Sequence, residues 1–262
     1  MVIDVLYVLG PAECSVGGAN RELRWSLRSL AKYGRGVGRV VVAGYPPDWL
    51  SDEVVRLPVE RPAGLEKDAV IFHNVMAAID SGAVSGRFLL SSDDHFLSAS
   101  FDMAATPLWQ RRQNLMPSYE ACRGGEGYRR VIDQTRRVLL AAGYGIVKCN
   151  PHRNTLCDAR CAPELRRLLA SAPVRSVGIE FNCAMGNVMH RVFGLPFVQM
   201  HDWKCPAFDP RAVEAGAFSI RDRALADPKL LAWFAAEFGA PCKYEKPGGG
   251  LLPAWSVSGS AA

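Results

Sequence analysis

The chain has 262 residues, 49% hydrophobic and 22% charged. That is an ordinary globular balance, which excludes collagen-like, coiled-coil and disordered classes and needs neither disulfide nor metal merely to fold. No window approaches about 18 consecutive apolar residues, so no membrane-spanning helix is expected. Lys and Arg number 31 against 26 Asp and Glu, a net charge of +5 that suits anionic partners such as nucleotides or nucleic acid. Most of the positive charge is Arg, whose planar fork matches phosphate.

The opening Met-Val-Ile-Asp-Val has no basic region before its apolar run and reads as a strand rather than a signal peptide. Ile3 to Leu9 is predicted as a buried strand ending at Gly10-Pro11. Asn20 is placed to cap a helix running to Tyr33 and stopped by Gly34. Leu23, Leu27 and Leu30 form its apolar face, with Arg21, Arg24, Arg28 and Lys32 on another side. Strands follow at Arg39 to Ala43 and Val54 to Leu57, then a helix over Leu65 to Ile79. A fourth strand, Arg87 to Ser91, runs straight into Ser92-Asp93-Asp94-His95. Alternation of this kind predicts an α/β fold with a largely parallel sheet and ligands at the carboxyl ends of its strands.

The second half reads as more irregular. Pro107 to Gly127 is loop-rich and basic. Glu126 to Ala142 is an amphipathic helix with Tyr128, Val131, Ile132, Thr135, Val138 and Leu139 as its inner stripe. Pro163 to Ser171 and Asp227 to Gly239 are further helices, and residues 247–262 form a small-residue tail expected to be mobile. The expected organisation is a single catalytic domain over 1–246, in which about 1–105 bind the donor and about 106–246 the acceptor.

Eight Cys without a secretory signal predict reduced thiols in a cytosol-like compartment. Cys149, His152, Cys157 and Cys161 have a spacing that could form a tetrahedral zinc site. Buried, unligated thiols are the competing expectation. Asp93-Asp94 is the most informative pair. Two adjacent carboxylates after a buried strand repel each other and cost desolvation, and a hard divalent cation is the common counter-charge. An acidic turn is the alternative.

The context of that pair carries a resemblance. Ile3-Asp-Val, then Asn20-Arg-Glu-Leu-Arg-Trp-Ser-Leu-Arg-Ser-Leu-Ala-Lys-Tyr33, Arg39-Val-Val-Val-Ala-Gly-Tyr-Pro-Pro-Asp-Trp-Leu50 and Phe88-Leu-Leu-Ser-Ser-Asp-Asp-His-Phe-Leu97 resemble the nucleotide-sugar-dependent transferases of GT-A type. The likeness is to the Stealth-like branch and its short phage-borne relatives. It extends through Gly127-Tyr-Arg-Arg-Val-Ile-Asp-Gln-Thr-Arg137 and the stretch around His152, covers about residues 3 to 170, and is strongest over the first hundred. The chain departs from the pattern at Asn20-Arg21, where Glu22 stands one place on. It departs again at Arg153-Asn154, and in the loop at 10–19, which lacks the Trp-Val-Asp of Stealth proteins.

The resemblance implies a GT-A-like, Rossmann-like mostly parallel sheet flanked by helices. It also implies a donor that is a nucleotide sugar, UDP-linked by expectation, with Mn²⁺ or Mg²⁺ held by Asp93 and Asp94. The loop near Gly10 would receive the base. Arg24, Arg28 and Lys67 would face the diphosphate, and His152 would be a further metal ligand or the base that takes the acceptor proton. Asp202 and Asp133 are the other candidate bases, and His95 is left open between a site role and a structural one. Plain glycosyl transfer is favoured over the sugar-phosphate transfer of Stealth proteins proper.

The acceptor is read from Arg111, Arg112, Arg123, Arg129, Arg130, Arg136 and Arg137, interleaved with Trp109, Tyr119 and Tyr128. Cations among aromatics suit a nucleic-acid backbone and an unstacked base. With the phage-borne relatives, this favours a hydroxymethylated base such as hydroxymethylcytosine, flipped out of phage DNA in the cytoplasm of an infected host. A polysaccharide, a lipid-linked glycan or a protein hydroxyl is the alternative acceptor. A non-catalytic nucleic-acid-binding protein and a zinc-stabilised structural protein are the readings outside glycosyl transfer.

Overall fold

In the computed structural model the described residues are 2–11, 20–111, 114–115 and 125–248. Strand β1 (Ile3–Leu9) is buried along most of its length, as its unbroken aliphatic run requires. Helix α1 (Arg21–Tyr33) seals Leu23, Leu27 and Leu30 into the core. Its start differs from expectation. Asn20 adopts a left-handed conformation (φ 47°), and its side chain makes no capping hydrogen bond. Gly34 leaves the helix extended rather than left-handed, opening the short strand β2 (Gly34–Arg35).

Next come β3 (Val37–Gly44), β4 (Val54–Pro58), α2 (Lys67–Asp80) and β5 (Arg87–Ser91). Helix α2 begins two residues later than its apolar spacing predicts, because the Leu65 N–H turns back to the Pro62 carbonyl. Beyond β5 the elements shorten to β6 (His95–Leu97), β7 (Phe101–Asp102) and β8 (Leu108–Gln110). Helix α3 (Gly125–Ala141) buries Val131, Ile132, Thr135, Val138 and Leu139, the expected stripe, with Tyr128 half-buried beside them. It is followed by β9 (Thr155–Asp158), α4 (Ala162–Ala170), α5 (Phe181–Phe193) and β10 (Phe197–Gln199). Then come β11 (Lys204–Cys205), α6 (Pro210–Glu214), β12 (Ala217–Ile220) and α7 (Pro228–Phe238), whose first turn is capped by the Asp227 carboxylate accepting the Lys229 N–H.

The main sheet has the order β4-β3-β1-β5-β9. Its first four strands run parallel and β9 runs antiparallel to β5, placing Cys157 opposite Phe88. The protein is therefore α/β with a mostly parallel, mixed sheet. The chain adds β3 and β4 on one side of β1 and β5 on the other. The carboxyl ends of β1 and β5 are thus the switch point at which such sheets open a crevice.

One core extends from Ile3 to Tyr244, so residues on both sides of position 105 share it. A second, aromatic cluster of Trp25, Phe96, Phe218, Phe234 and Phe238 fixes β6, β12 and α7 against α1, with Trp25 stacked on Phe234 at 4.4 Å between ring centroids. In that unit β12 pairs antiparallel with β6 and parallel with β11. This second cluster is what carries residues from positions 204 and 222 back to the crevice. Among the described residues no helix is long and apolar enough to cross a membrane. Residues 249–262 of the expected tail lie outside the described residues.

Candidate active site

A cleft of about 470 Å³ opens at the carboxyl ends of β1 and β5. Val8, Leu9, Gly10 and Pro11 come from the end of β1, and Ser92, Asp93 and Asp94 from the end of β5. Helix α2 contributes Lys67, Val70, Ile71 and Asn74. The expected positions of Gly10, Lys67, Asp93 and Asp94 thus converge, because a parallel sheet delivers successive strand ends to one edge.

Sequence reasoning missed several groups in the same cleft: Glu22, Arg61, Asn74, Lys204 and Asp222. Lys204 Nζ donates to Asp94 Oδ2 at 2.9 Å, so part of the counter-charge for the acid pair is a lysine from β11. His95 Nε2 lies 3.6 Å from Asp94 Oδ1, and the Ser92 N–H donates to His95 Nδ1, which leaves the ring proton on the nitrogen facing Asp94. Burial holds His95 neutral, with its pKa lowered to about 4.

The two aspartates are driven apart electrically. Burial raises Asp94, but its interactions with His95, Lys204 and His152, including the Lys204 hydrogen bond, outweigh it, and its pKa is lowered. At Asp93 burial and the neighbouring Asp94 outweigh the Lys67 charge and the backbone hydrogen bonds, and push it up to about 6. Glu22, only 8% exposed, is pushed up to about 8 by burial and by Asp93, Asp94 and Asp222, so it carries a proton at neutral pH. Glu22 stands one place after the position where the resembled motif has its acidic residue, and that offset was the signal available in the sequence. Lys204 and Asp222 sit singly at the ends of short segments, where no periodicity marks them.

Next to the acid pair is a second constellation. His152 Nδ1 is 2.7 Å from Asp202 Oδ2, and the His152 backbone N–H donates to Asp202 Oδ1 at 2.9 Å. Arg111 Nη2 lies 3.1 Å from Asp202 Oδ2. Burial raises Asp202, but the His152 hydrogen bond and charge and the Arg111 charge override it, lowering the pKa to about 2. A fixed carboxylate therefore holds one ring nitrogen of a partly exposed histidine. His152 acts electrostatically on both Asp94 and His95, which places the dyad beside the acid pair.

Arg24 and Arg28 are placed differently from the expectation that they face a diphosphate. Glu245 takes Arg28 Nε at 2.6 Å and Nη2 at 2.8 Å, and Arg24 Nη1 at 2.6 Å. Arg28 also donates to the Phe238 and Gly239 carbonyls at the end of α7, and the Arg24 guanidinium stacks on Trp49 at 4.0 Å. Both arginines are committed to fastening the C-terminal segment to α1. Asp133, the third candidate base, pairs with Arg137 at 2.6 Å along α3.

The structure does not bring the four zinc candidates together. Among the described residues no group of three or more His, Cys, Asp or Glu is arranged to hold a metal ion by itself. Cys157 is in the sheet core and Cys161 is buried at the N-cap of α4. The Cys149 N–H donates to Cys183 Sγ, while His152 is turned to Asp202. Burial raises all three thiols, with Cys161 at about 12. The acid pair is a different case. A Mg²⁺ or Mn²⁺ ion accompanying a nucleotide takes one or two carboxylates and completes its shell from phosphates and water, so Asp93 and Asp94 fit it without a third protein ligand.

On α3, Arg129, Arg130 and Arg137 are exposed and Arg136 is half-buried. Arg130 pairs with Glu66 at 3.0 Å and Arg137 with Asp133. Trp109 is covered by Arg153, whose guanidinium lies 4.6 Å from the ring centre, and the Tyr128 hydroxyl accepts from Asn150. The two aromatics expected to stack on bases are thus engaged within the fold. Arg112, Tyr119 and Arg123 lie outside the described residues. No family model matches the chain, and no curated protein matches it.

Proposed function

We propose that the protein is a nucleotide-sugar-dependent glycosyltransferase of GT-A-like architecture, transferring its sugar to a hydroxyl. The observation that carries this reading is the meeting, at one strand-end cleft, of the Asp93–Asp94 pair with the Lys67 and Arg61 cations. The His152–Asp202 dyad lies outside the cleft lining, near enough to act on Asp94 electrostatically. Nucleoside diphosphates need cations at the phosphates, and hydroxyl acceptors need a base.

In this reading Asp93 and Asp94 would hold a divalent cation, which would supply positive charge beside the diphosphate. Lys67 and Arg61 attract the phosphates at the mouth of the cleft. Lys204 keeps Asp94 ionised. Asp202 fixes His152 with its Nδ1–H donated, so that Nε2 receives the acceptor proton. The acceptor oxygen then bonds to the anomeric carbon as the sugar–phosphate bond breaks, and that electron pair leaves with the nucleoside diphosphate. The base in DNA is the favoured acceptor, and its support is the exposed arginine face of α3. Exposed pairs such as Arg130–Glu66 contribute at most about 1 kcal/mol, so phosphate can displace them.

The test incubates the protein with nucleotide sugars, Mn²⁺ and either hydroxymethylated or plain duplex. Sugar is expected on the hydroxymethylated strand alone, and Asp94→Ala is expected to lose at least about 10²-fold in rate. Nucleoside diphosphate released equally fast by Asp94→Ala would remove the assigned site. Donor turnover without labelled DNA would move the acceptor to a glycan.

A further inference from the structure

We propose that Asn74 reads the base of the nucleotide; the inference rests on the cleft being the donor site proposed above. Asn74 is on α2, is 1% exposed and lines the cleft. Neither its Nδ2 nor its Oδ1 has a hydrogen-bond partner among the described residues. A buried amide normally has its donor and acceptor satisfied, and leaving both unmade is costly. The fold bears that cost in a cleft that also presents Val8, Leu9, Val70 and Ile71.

The surroundings hold the amide in place. Gly44, at the end of β3, has φ +103°, and a Cβ there would stand 2.9 Å from Asn74 Nδ2 and 2.2 Å from the Leu9 carbonyl oxygen. The amide therefore lies against the carboxyl ends of β1 and β3, where the absence of a side chain at position 44 makes room for it. It is uncharged and shares the cleft with those apolar side chains, so it suits a flat, neutral group with one donor beside one acceptor. A nucleobase edge is such a group, and apolar walls suit its faces. The charged lining, with Asp93, Asp94, Lys204 and Lys67, is left for the phosphates.

Calorimetric titration with nucleoside diphosphates carrying each base, and with inorganic pyrophosphate, all with Mn²⁺, tests this. Wild-type protein is expected to prefer one nucleoside diphosphate over pyrophosphate. Asn74→Leu is expected to lose at least about tenfold in that affinity while pyrophosphate binding is unchanged. The unliganded Asn74→Leu protein is expected to melt no lower than wild type, because no hydrogen bond to the protein is removed. Asn74→Asp, which offers only acceptors, is expected to change the ranking among bases, and it serves if the leucine variant does not fold. Unchanged nucleotide affinity and ranking in a folded variant overturns the role of Asn74 alone. Wild-type protein that binds neither pyrophosphate nor any nucleotide overturns the donor site itself.

Discussion

Replacing His152 by alanine is expected to slow donor turnover by about 10²–10⁴-fold, the usual contribution of a positioned base, with nucleoside diphosphate affinity unchanged. The expectation comes from geometry. Asp202 receives both the ring Nδ1 and the backbone N–H of His152, and Arg111 steadies the same carboxylate. Such a dyad fixes the tautomer, so Asp202→Asn is expected to reproduce much of the loss by letting the ring turn over. Rates measured with saturating donor, beside binding measured separately, distinguish a lost base from a lost site. Turnover by His152→Ala close to the wild-type rate would assign the proton transfer to another group.

The second large effect is on stability. Glu245→Ala is expected to destabilise the fold by about 3–5 kcal/mol, the cost of leaving buried charge unpaired. For a chain of this size that is a fall of roughly 6–20 °C in melting temperature. Glu245 is fully buried and its partner Arg28 has a side chain 2% exposed, so neither can turn to water. The Cys242 N–H also donates to Glu245, which ties the segment before the C-terminus to α1 and to the end of α7. Arg28→Ala is expected to show the same fall. A changed donor KM with an unchanged melting temperature in Arg28→Ala would return that residue to the phosphates.

The alternating part of the sheet was legible because buried parallel strands are near-continuous aliphatic runs, as at Val40, Val41 and Val42. Strand β9 was not. Its four residues, Thr155–Asp158, present no such run, and Cys157, left open between a zinc ligand and a buried thiol, is a sheet-core side chain. Helix α5 was hidden by polar residues on its inner side. Asn187 is buried there and bonds to the backbone at Val147 and Cys183, which breaks the apolar period. Arg28 shows the limit most sharply. Its spacing groups it with exposed cations, and its true partner is 217 residues away. In the cleft, Asp93 and Asp94 announce themselves as a pair at a strand end. Lys204, Glu22 and Asp222 reach them only through the packing of the second aromatic cluster and α1.

In the proposed function, the cleft at the ends of β1 and β5 binds a nucleoside diphosphate with a divalent cation at its acid pair. Thermal unfolding with and without Mn²⁺, across nucleoside diphosphates, tests it most directly. A ligand at about 100 times its dissociation constant adds about 2.7 kcal/mol, or roughly 5–10 °C here. That shift is expected only when nucleotide and Mn²⁺ are both present, and it is expected to vanish in Asp93→Ala. No shift with any nucleotide, or the same shift in Asp93→Ala, would contradict the account.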